Sequence, residues 1–136
     1  MTENEKNLME RLEENVGSDD FYEISHAIVQ EIETSKTPFV FVEPILNLIE
    51  NNPKTDFGLP GPLVHFVEKF YKDGYEELLI ASAKRHPTSH NVWMINRIIN
   101  GSDSIQREKY VQVLKEIADR DDINIEIKEQ ITFYLN

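Results

Sequence analysis

The stretch TSHNVWMINRIIN, residues 88–100, decides the fold class. Its apolar side chains at 92–95 and 98–99 occupy most of the circumference of a helix, which is typical of a helix buried on several sides. Thr88 or Ser89 provides an N-cap, and Asn100-Gly101 provides a stop. We therefore predict a central, buried helix over residues 89–100, with Trp93 packed inside the protein.

Apolar residues spaced three and four apart extend this helical pattern in both directions from residue 89. Proline, glycine and asparagine interrupt the pattern at short intervals, so the helices are short. Ser18 and Ser104 are the expected N-caps of the second and seventh helices. The predicted segments are about 3–16, 19–34, a third ending near 51, then 62–71, 75–86, 89–100, 105–119 and the C-terminal residues.

Two of these segments have alternative interpretations. The third helix either begins near Glu43, with Pro44 in its first turn, or bends at Pro44 because proline lacks a backbone donor. In the last segment, Ile123, Ile125 and Ile127 alternate as in a strand. Residues 127–135 have helical spacing instead, and we predict a helix because a single strand would have no partner.

The pattern predicts an all-α protein, a compact stack of about eight short antiparallel helices of the HEAT or armadillo kind. The length of 136 residues fits a single helical domain, 1–136. The sequence has no clean repeat period, so the stacking prediction rests on helix length and pairing.

The composition excludes several classes of protein. The chain has no cysteine, which removes disulfides and thiolate metal sites. It has no apolar run of the ~20 residues that a membrane span requires, and its first residues are polar and acidic, unlike a signal peptide. We expect a cytoplasmic protein that does not bind membranes.

The charge is strongly acidic and unevenly distributed. Twenty-five acidic and fourteen basic residues give a net charge of −11, and residues 1–35 alone contain ten acidic and two basic residues. This field repels phosphate backbones and anionic lipids, so direct binding to nucleic acid is not expected. It attracts a basic partner protein, although an acidic surface also serves solubility alone.

Candidate catalytic and metal-binding residues are few. His65 and Glu68 lie three apart on one predicted helix face, but no third ligand has a recognisable spacing. His86 and His90 are separated by Pro87, which disrupts the common face that a metal pair needs. Both pairs are better explained by helix packing and local hydrogen bonds.

A small basic cluster and two glycines are the remaining candidates for a ligand-binding site, in each case for phosphate. Lys84, Arg85, His86 and Arg97 could hold a phosphate, but arginines here more often bind carboxylates, and Glu68 or Glu76 would be the partner of Arg97. Gly58 and Gly61 lack the strand and lysine of a phosphate loop. We predict no enzymatic activity and no cofactor or metal.

The segments FGLPGPLVHFVEKF (57–70) and YEELLIASAKRHPTSHNVWMINRIIN (75–100) resemble small all-helical immunity proteins. Those proteins are encoded beside bacterial polymorphic and contact-dependent inhibition toxins. The resemblance implies a cytoplasmic, stoichiometric inhibitor of a cognate toxin domain, often a nuclease. It covers about a third of the chain and rests on Gly58, Pro60, Gly61, Pro62, Leu63, Val64, His65, Phe66, Glu68, Leu79, Arg85, Pro87, Thr88, Trp93, Asn96, Arg97 and Ile98.

The resemblance indicates no contact residues, so we predict them from charge. A nuclease is basic around its active site, and its inhibitor should present carboxylates around an aromatic anchor. We expect the inhibitor to be a monomer. The alternative is a helical-repeat adaptor that binds a peptide or partner protein in a groove. The predicted partner-binding residues are Glu10, Glu13, Glu14, Asp19, Asp20, Tyr22, Glu23 and Glu31.

Overall fold

The computed structural model describes residues 1–136. The chain is all-helical, as expected from apolar residues at helical spacing that are interrupted at short intervals. There are eight α-helices and one short 3-10 helix, and the chain has no strand. The helices are α1 (Glu3–Asn15), α2 (Phe21–Glu33), α3 (Val42–Asn51), α4 (Gly61–Glu68), α5 (Tyr75–Arg85), α6 (Ser89–Asn100), α7 (Ser104–Ala118) and α8 (Ile125–Leu135), with the 3-10 helix at Pro38–Phe41.

The packing divides the chain into two compact units, residues 1–78 and 79–136. In the first unit α1 contacts α2 and α3, and α4 contacts α2 and α3. In the second unit α6, α7 and α8 contact one another. Fully buried apolar side chains fill both units, among them Leu12, Ile28 and Ile45 in the first and Ile95, Leu114 and Ile131 in the second.

The structure distinguishes between the alternative interpretations of α3 and of the C-terminal segment. Helix α3 begins at Val42, so Pro44 lies in its first turn, where the missing N–H needs no partner. The C-terminal segment is a helix whose N-cap Asn124 accepts a hydrogen bond from the Ile127 N–H at 2.9 Å. Ile125 is 63% exposed and Ile127 is buried, as the helical spacing requires.

Two predicted caps are wrong by one or two residues. Asp20, not Ser18, precedes α2, and its side chain makes no capping hydrogen bond. The Ser18 carbonyl instead accepts the Phe21 N–H and closes the turn that leads into α2. Asp103, not Ser104, caps α7: its backbone is extended and its carboxylate accepts the Gln106 N–H at 2.9 Å. In each case the residue with the non-helical backbone takes the N-cap position.

Helix α4 is shorter than predicted and ends at Glu68 rather than near residue 71. The next residues turn tightly through hydrogen bonds to the third residue back, and Lys72 adopts a positive φ of 70°. The Glu76 carboxylate accepts the Lys72 N–H at 2.7 Å and thereby holds this turn. The α4–α5 connection is therefore ordered by a side chain outside α4.

Helix α6 buries Val92, Met94 and Ile95 completely, as its apolar sequence predicts. Trp93 is only half-buried, so its predicted place inside the core is wrong. The edge of His90 contacts its ring at 5.3 Å between centroids, and the Arg97 guanidinium lies over it at 5.1 Å. Trp93 is thus held partly by a cation–π contact.

Candidate functional site

The seven carboxylates of the predicted partner-binding set are all exposed and lie on or between α1 and α2. An α-helix advances about 100° per residue, so Glu10 and Glu14 share one face of α1. That face lies opposite the buried side of α1, which carries Leu8 and Leu12. Like charges at this spacing repel each other and oppose helix formation slightly.

The seven carboxylates come from more than one face of α1, from the turn before α2 and from both ends of α2. Glu13 points toward α3, where it lines a shallow groove with Pro44 and Asn47. On the other flank of α1, Arg11 binds Glu31 of α2 at 3.4 Å. Glu10 and Glu14 lie on the outer face of α1, whereas Asp19, Asp20 and Glu23 lie around the start of α2.

Tyr22 lies beside the carboxylates at the start of α2 and is 62% exposed. It forms the wall between two depressions of the first unit. The larger depression, the α2–α4 groove, has a volume of about 500 Å³. Its lining includes Tyr22, His26 and Glu33 from α2, Leu59 from the loop before α4, and His65 and Lys69.

An ion pair lies at the edge of the α2–α4 groove. The Lys69 ammonium is 2.7 Å from the Glu33 carboxylate, and both side chains are about half exposed. Such a solvated pair adds little to stability. The Lys69 ammonium neutralises the Glu33 carboxylate, so the pair adds no net charge to this end of the groove.

The loop before α4 is tightly folded and supports the other wall of the groove. The Gly58 N–H donates a hydrogen bond to Asp56 Oδ1 at 2.8 Å, and Gly58 has a φ of +94°. A Cβ at this position would lie 2.6 Å from the Gly61 Cα, so only glycine fits. The turn leaves Leu59 82% exposed at the groove.

The smaller depression, the Asp19–Asp56 pocket, lies on the other side of Tyr22 and has a volume of about 220 Å³. Its two carboxylates come from the turn before α2 and from the loop before α4. Phe21 and Phe57 line it as an edge-to-face pair with centroids 6.0 Å apart. The pocket therefore combines acidic groups with aromatic rings.

The candidate catalytic pairs have ordinary structural surroundings. His65 is exposed in the α2–α4 groove, and Glu68 is half-buried at the end of α4. The His86 carbonyl accepts a hydrogen bond from the Asn91 side chain at 2.9 Å, next to the break at Pro87. No group of three or more histidine, aspartate or glutamate side chains is arranged to hold a metal ion.

The residues of the predicted basic cluster lie at the end of α5, just after it, and on α6. Lys84 lies 3.9 Å from the Glu116 carboxylate, and Arg97 lies over Trp93. The Glu76 carboxylate, one of the two predicted partners of Arg97, accepts the Lys72 backbone N–H. Arg85 and His86 are exposed near the end of α5.

The net charge of the protein belongs to one unit. Residues 1–78 contain 17 acidic and six basic side chains, a net charge of −11, whereas residues 79–136 contain eight of each and are neutral. The α1–α2 carboxylates, the α2–α4 groove and the Asp19–Asp56 pocket all lie in the charged unit.

Sequence reasoning missed Leu59 and His26, which line the groove beside Tyr22. The exposure of Leu59 was predictable from the sequence, because a large apolar residue between Gly58 and a proline in a loop is rarely buried. The place of His26 in the groove was not predictable, since its position relative to α4 depends on tertiary packing.

Comparison of the chain with protein families, with curated proteins and with solved structures finds no match. None of its helices has the length and apolar character that crossing a membrane requires.

Proposed function

We propose that this protein is a cytoplasmic immunity protein that binds and neutralises a cognate bacterial toxin domain, a basic nuclease. It acts stoichiometrically as a monomer and catalyses no reaction. The observation that carries the proposal is that residues 1–78 contain the entire net charge of −11. The resemblance of residues 57–70 and 75–100 to immunity proteins supports the same function.

The charge distribution explains how such an inhibitor finds its target. A nuclease concentrates positive charge where it binds phosphates. The field of residues 1–78 attracts that surface and raises the association rate, while the neutral second unit contributes no net attraction. The exposed carboxylates of Glu10, Glu14 and Glu23 then contact the basic surface and keep nucleic acid away from it.

The proposed architecture is a HEAT-like stack. What supports it is the pairing in the first unit, where α1 contacts α2 and α3, and α4 contacts α2 and α3. Two helical hairpins laid side by side make this set of contacts. Such a stack presents successive helices to a partner as a rigid surface.

A second candidate function is a helical adaptor that binds a peptide of a partner protein. The α2–α4 groove favours it, because a concave surface with exposed Tyr22 and Leu59 suits an extended segment. An adaptor would bind its partner without abolishing the partner's activity, which distinguishes the two functions.

Co-expression with the product of the adjacent gene tests the proposal. We expect the two proteins to co-purify as a 1:1 complex, and one equivalent of this chain to abolish the nuclease activity of the toxin domain. Binding without loss of toxin activity would favour the adaptor. Turnover of a substrate by the purified chain alone would contradict both functions.

A further inference from the structure

We infer that Tyr22 and the two depressions beside it form the anchor site for a basic partner protein. The α2–α4 groove takes a large apolar side chain of the partner, and the Asp19–Asp56 pocket takes a neighbouring arginine or lysine side chain. This inference rests on the proposed function and specifies the residues that dominate its interface.

The apolar part of the inference comes from Tyr22 and Leu59. Both are large side chains left mostly in water, at 62% and 82% exposure, and both line the same groove. The groove volume of about 500 Å³ is within the range of ligand-binding clefts. Burying a tyrosine and a leucine around a partner's side chain is typical of the centre of a protein interface.

The cationic part comes from the Asp19–Asp56 pocket. Two carboxylates from separate elements line a space of about 220 Å³ together with Phe21 and Phe57. Phe21 and Phe57 are buried, so the exposed ring of this pocket is that of Tyr22. A guanidinium is planar, so it can bind a carboxylate edge-on while its face lies on that ring.

Charge complementarity selects a basic protein rather than a second copy of this chain. Both depressions belong to the unit with a net charge of −11, so two copies that met through this surface would repel each other. A partner with a basic surface is attracted and supplies the cation that the pocket lacks. The Lys69–Glu33 ion pair makes one end of the groove locally neutral, which suits an apolar side chain there.

The site is preorganised on the α4 side. The hydrogen bond from the Gly58 N–H to Asp56 Oδ1 fixes the loop that carries Leu59. The same contact orients Asp56, so one turn positions an apolar and an acidic part of the site. A wall that is ordered before binding loses little conformational entropy when the partner arrives.

Peptide selection tests the inference without the toxin. A library of random dodecapeptides displayed on phage is selected on the wild-type protein, with a Tyr22→Ser/Leu59→Ser double variant as the counter-target. We expect selected peptides to combine a large apolar residue with a nearby arginine or lysine. Acidic peptides, or the absence of peptides specific for the wild type, would overturn the inference.

Single variants then separate the two parts of the site. With a selected peptide synthesised and labelled, we expect Leu59→Ser to weaken binding about tenfold or more, and Asp19→Asn to weaken it several-fold. Replacing the peptide's arginine with glutamine should remove the effect of Asp19→Asn. Ile105→Ser is the matched control, because Ile105 is 81% exposed in the neutral unit, and it should bind like the wild type.

Failure of this inference differs from failure of the proposed function. A toxin domain that binds the Tyr22→Ser/Leu59→Ser variant as tightly as the wild type overturns the inference and leaves the neutralising function intact. Peptide binding that requires Leu59 and Asp19, with no toxin neutralised by the chain, supports the site and overturns the function. Unchanged circular dichroism of each variant shows that the fold is intact.

Discussion

At position 58 the backbone leaves no room for a side chain, and this matters because the same turn positions Leu59 and Asp56. The φ of +94° already disfavours any residue but glycine. The neighbouring atoms that a Cβ would meet are backbone atoms of Gly61, at 2.6 and 2.9 Å. Side-chain rotation cannot relieve such contacts, so the loop itself has to move.

We expect Gly58→Ala to lower the free energy of unfolding by about 3 kcal/mol, from left-handed strain and the contact with Gly61. Gly17→Ala is the matched control, because Gly17 has a φ of +85° but no atom within 4 Å of its Cβ position. It should lose only about 1 kcal/mol. Urea denaturation measures both. Equal losses would mean that the turn at 58–61 relaxes easily.

Tyr22 shows how far single residues could be assigned from the sequence. The sequence predicts an aromatic anchor among Asp19, Asp20 and Glu23, and Tyr22 is exposed in the charged unit; its role as an anchor stays a prediction. Its two depressions were not predictable, because they require Leu59 and Asp56, more than 30 residues later in the chain, to lie beside α2.

At the scale of the helix, the N-cap residues differ in the hydrogen bonds that they make and therefore in their contribution to stability. Thr88 and Asn91 form a reciprocal capping box at α6: the Thr88 hydroxyl accepts the Asn91 N–H at 3.1 Å, and the Asn91 side chain accepts the Thr88 N–H at 2.9 Å. Both residues are buried. At α2, by contrast, the Asp20 side chain makes no cap.

We therefore expect Thr88→Ala to destabilise the protein by about 1–2 kcal/mol, since water cannot replace the lost hydrogen bond at a buried cap. Asp20→Ala should change stability by only a few tenths of a kcal/mol. Thermal unfolding followed by circular dichroism measures the difference. A loss at Asp20 as large as that at Thr88 would show that Asp20 acts on α2 through its charge instead.

Another capping box involves Glu5 at α1. The Thr2 N–H donates to the Glu5 carboxylate at 2.7 Å, and this hydrogen bond lowers the pKa of Glu5 from its ordinary value of 4.5. Because the folded pKa is lowered, the contribution of this box to stability is complete above pH 4.5. It is lost as the pH falls through the folded pKa.

Helix type and number followed from the sequence, because burial of one apolar stripe per helix imposes a clear period. Helix ends did not follow to the residue. After α4 ends at Glu68, Lys72 takes a positive φ and donates its N–H to the Glu76 carboxylate. The position of the Glu13 side chain beside α3 depends on how α3 packs against α1. The first contact joins residues only four apart, but the apolar period does not reveal a positive φ. The second is a tertiary effect that a local pattern does not contain.

At the scale of the whole molecule, the assignment of charge to one unit predicts association kinetics. Reversing Glu13, Glu14 and Asp20 to lysine changes the net charge from −11 to −5. We expect about tenfold slower association with the toxin domain at low salt, with the helical circular dichroism signal unchanged. At about 0.5 M salt the rates should converge, because the Debye length falls to a few ångströms.

The matched control reverses Asp119, Glu126 and Glu129, which are exposed in the neutral unit and give the same net charge of −5. Stopped-flow or surface-based association rates should change much less for this variant. Equal slowing by both variants would mean that total charge alone governs association, and that residues 1–78 are not the docking unit.

The neutral composition of residues 79–136 has a consequence for the ions in solution. Most of the cations that balance this protein gather around residues 1–78, because the other unit has no net charge. A basic ligand that covers the first unit releases them, so the logarithm of its dissociation constant rises steeply with the logarithm of the sodium concentration. A ligand on residues 79–136 releases fewer cations and gives a shallower slope, so a salt titration helps to distinguish which half of the chain is occupied.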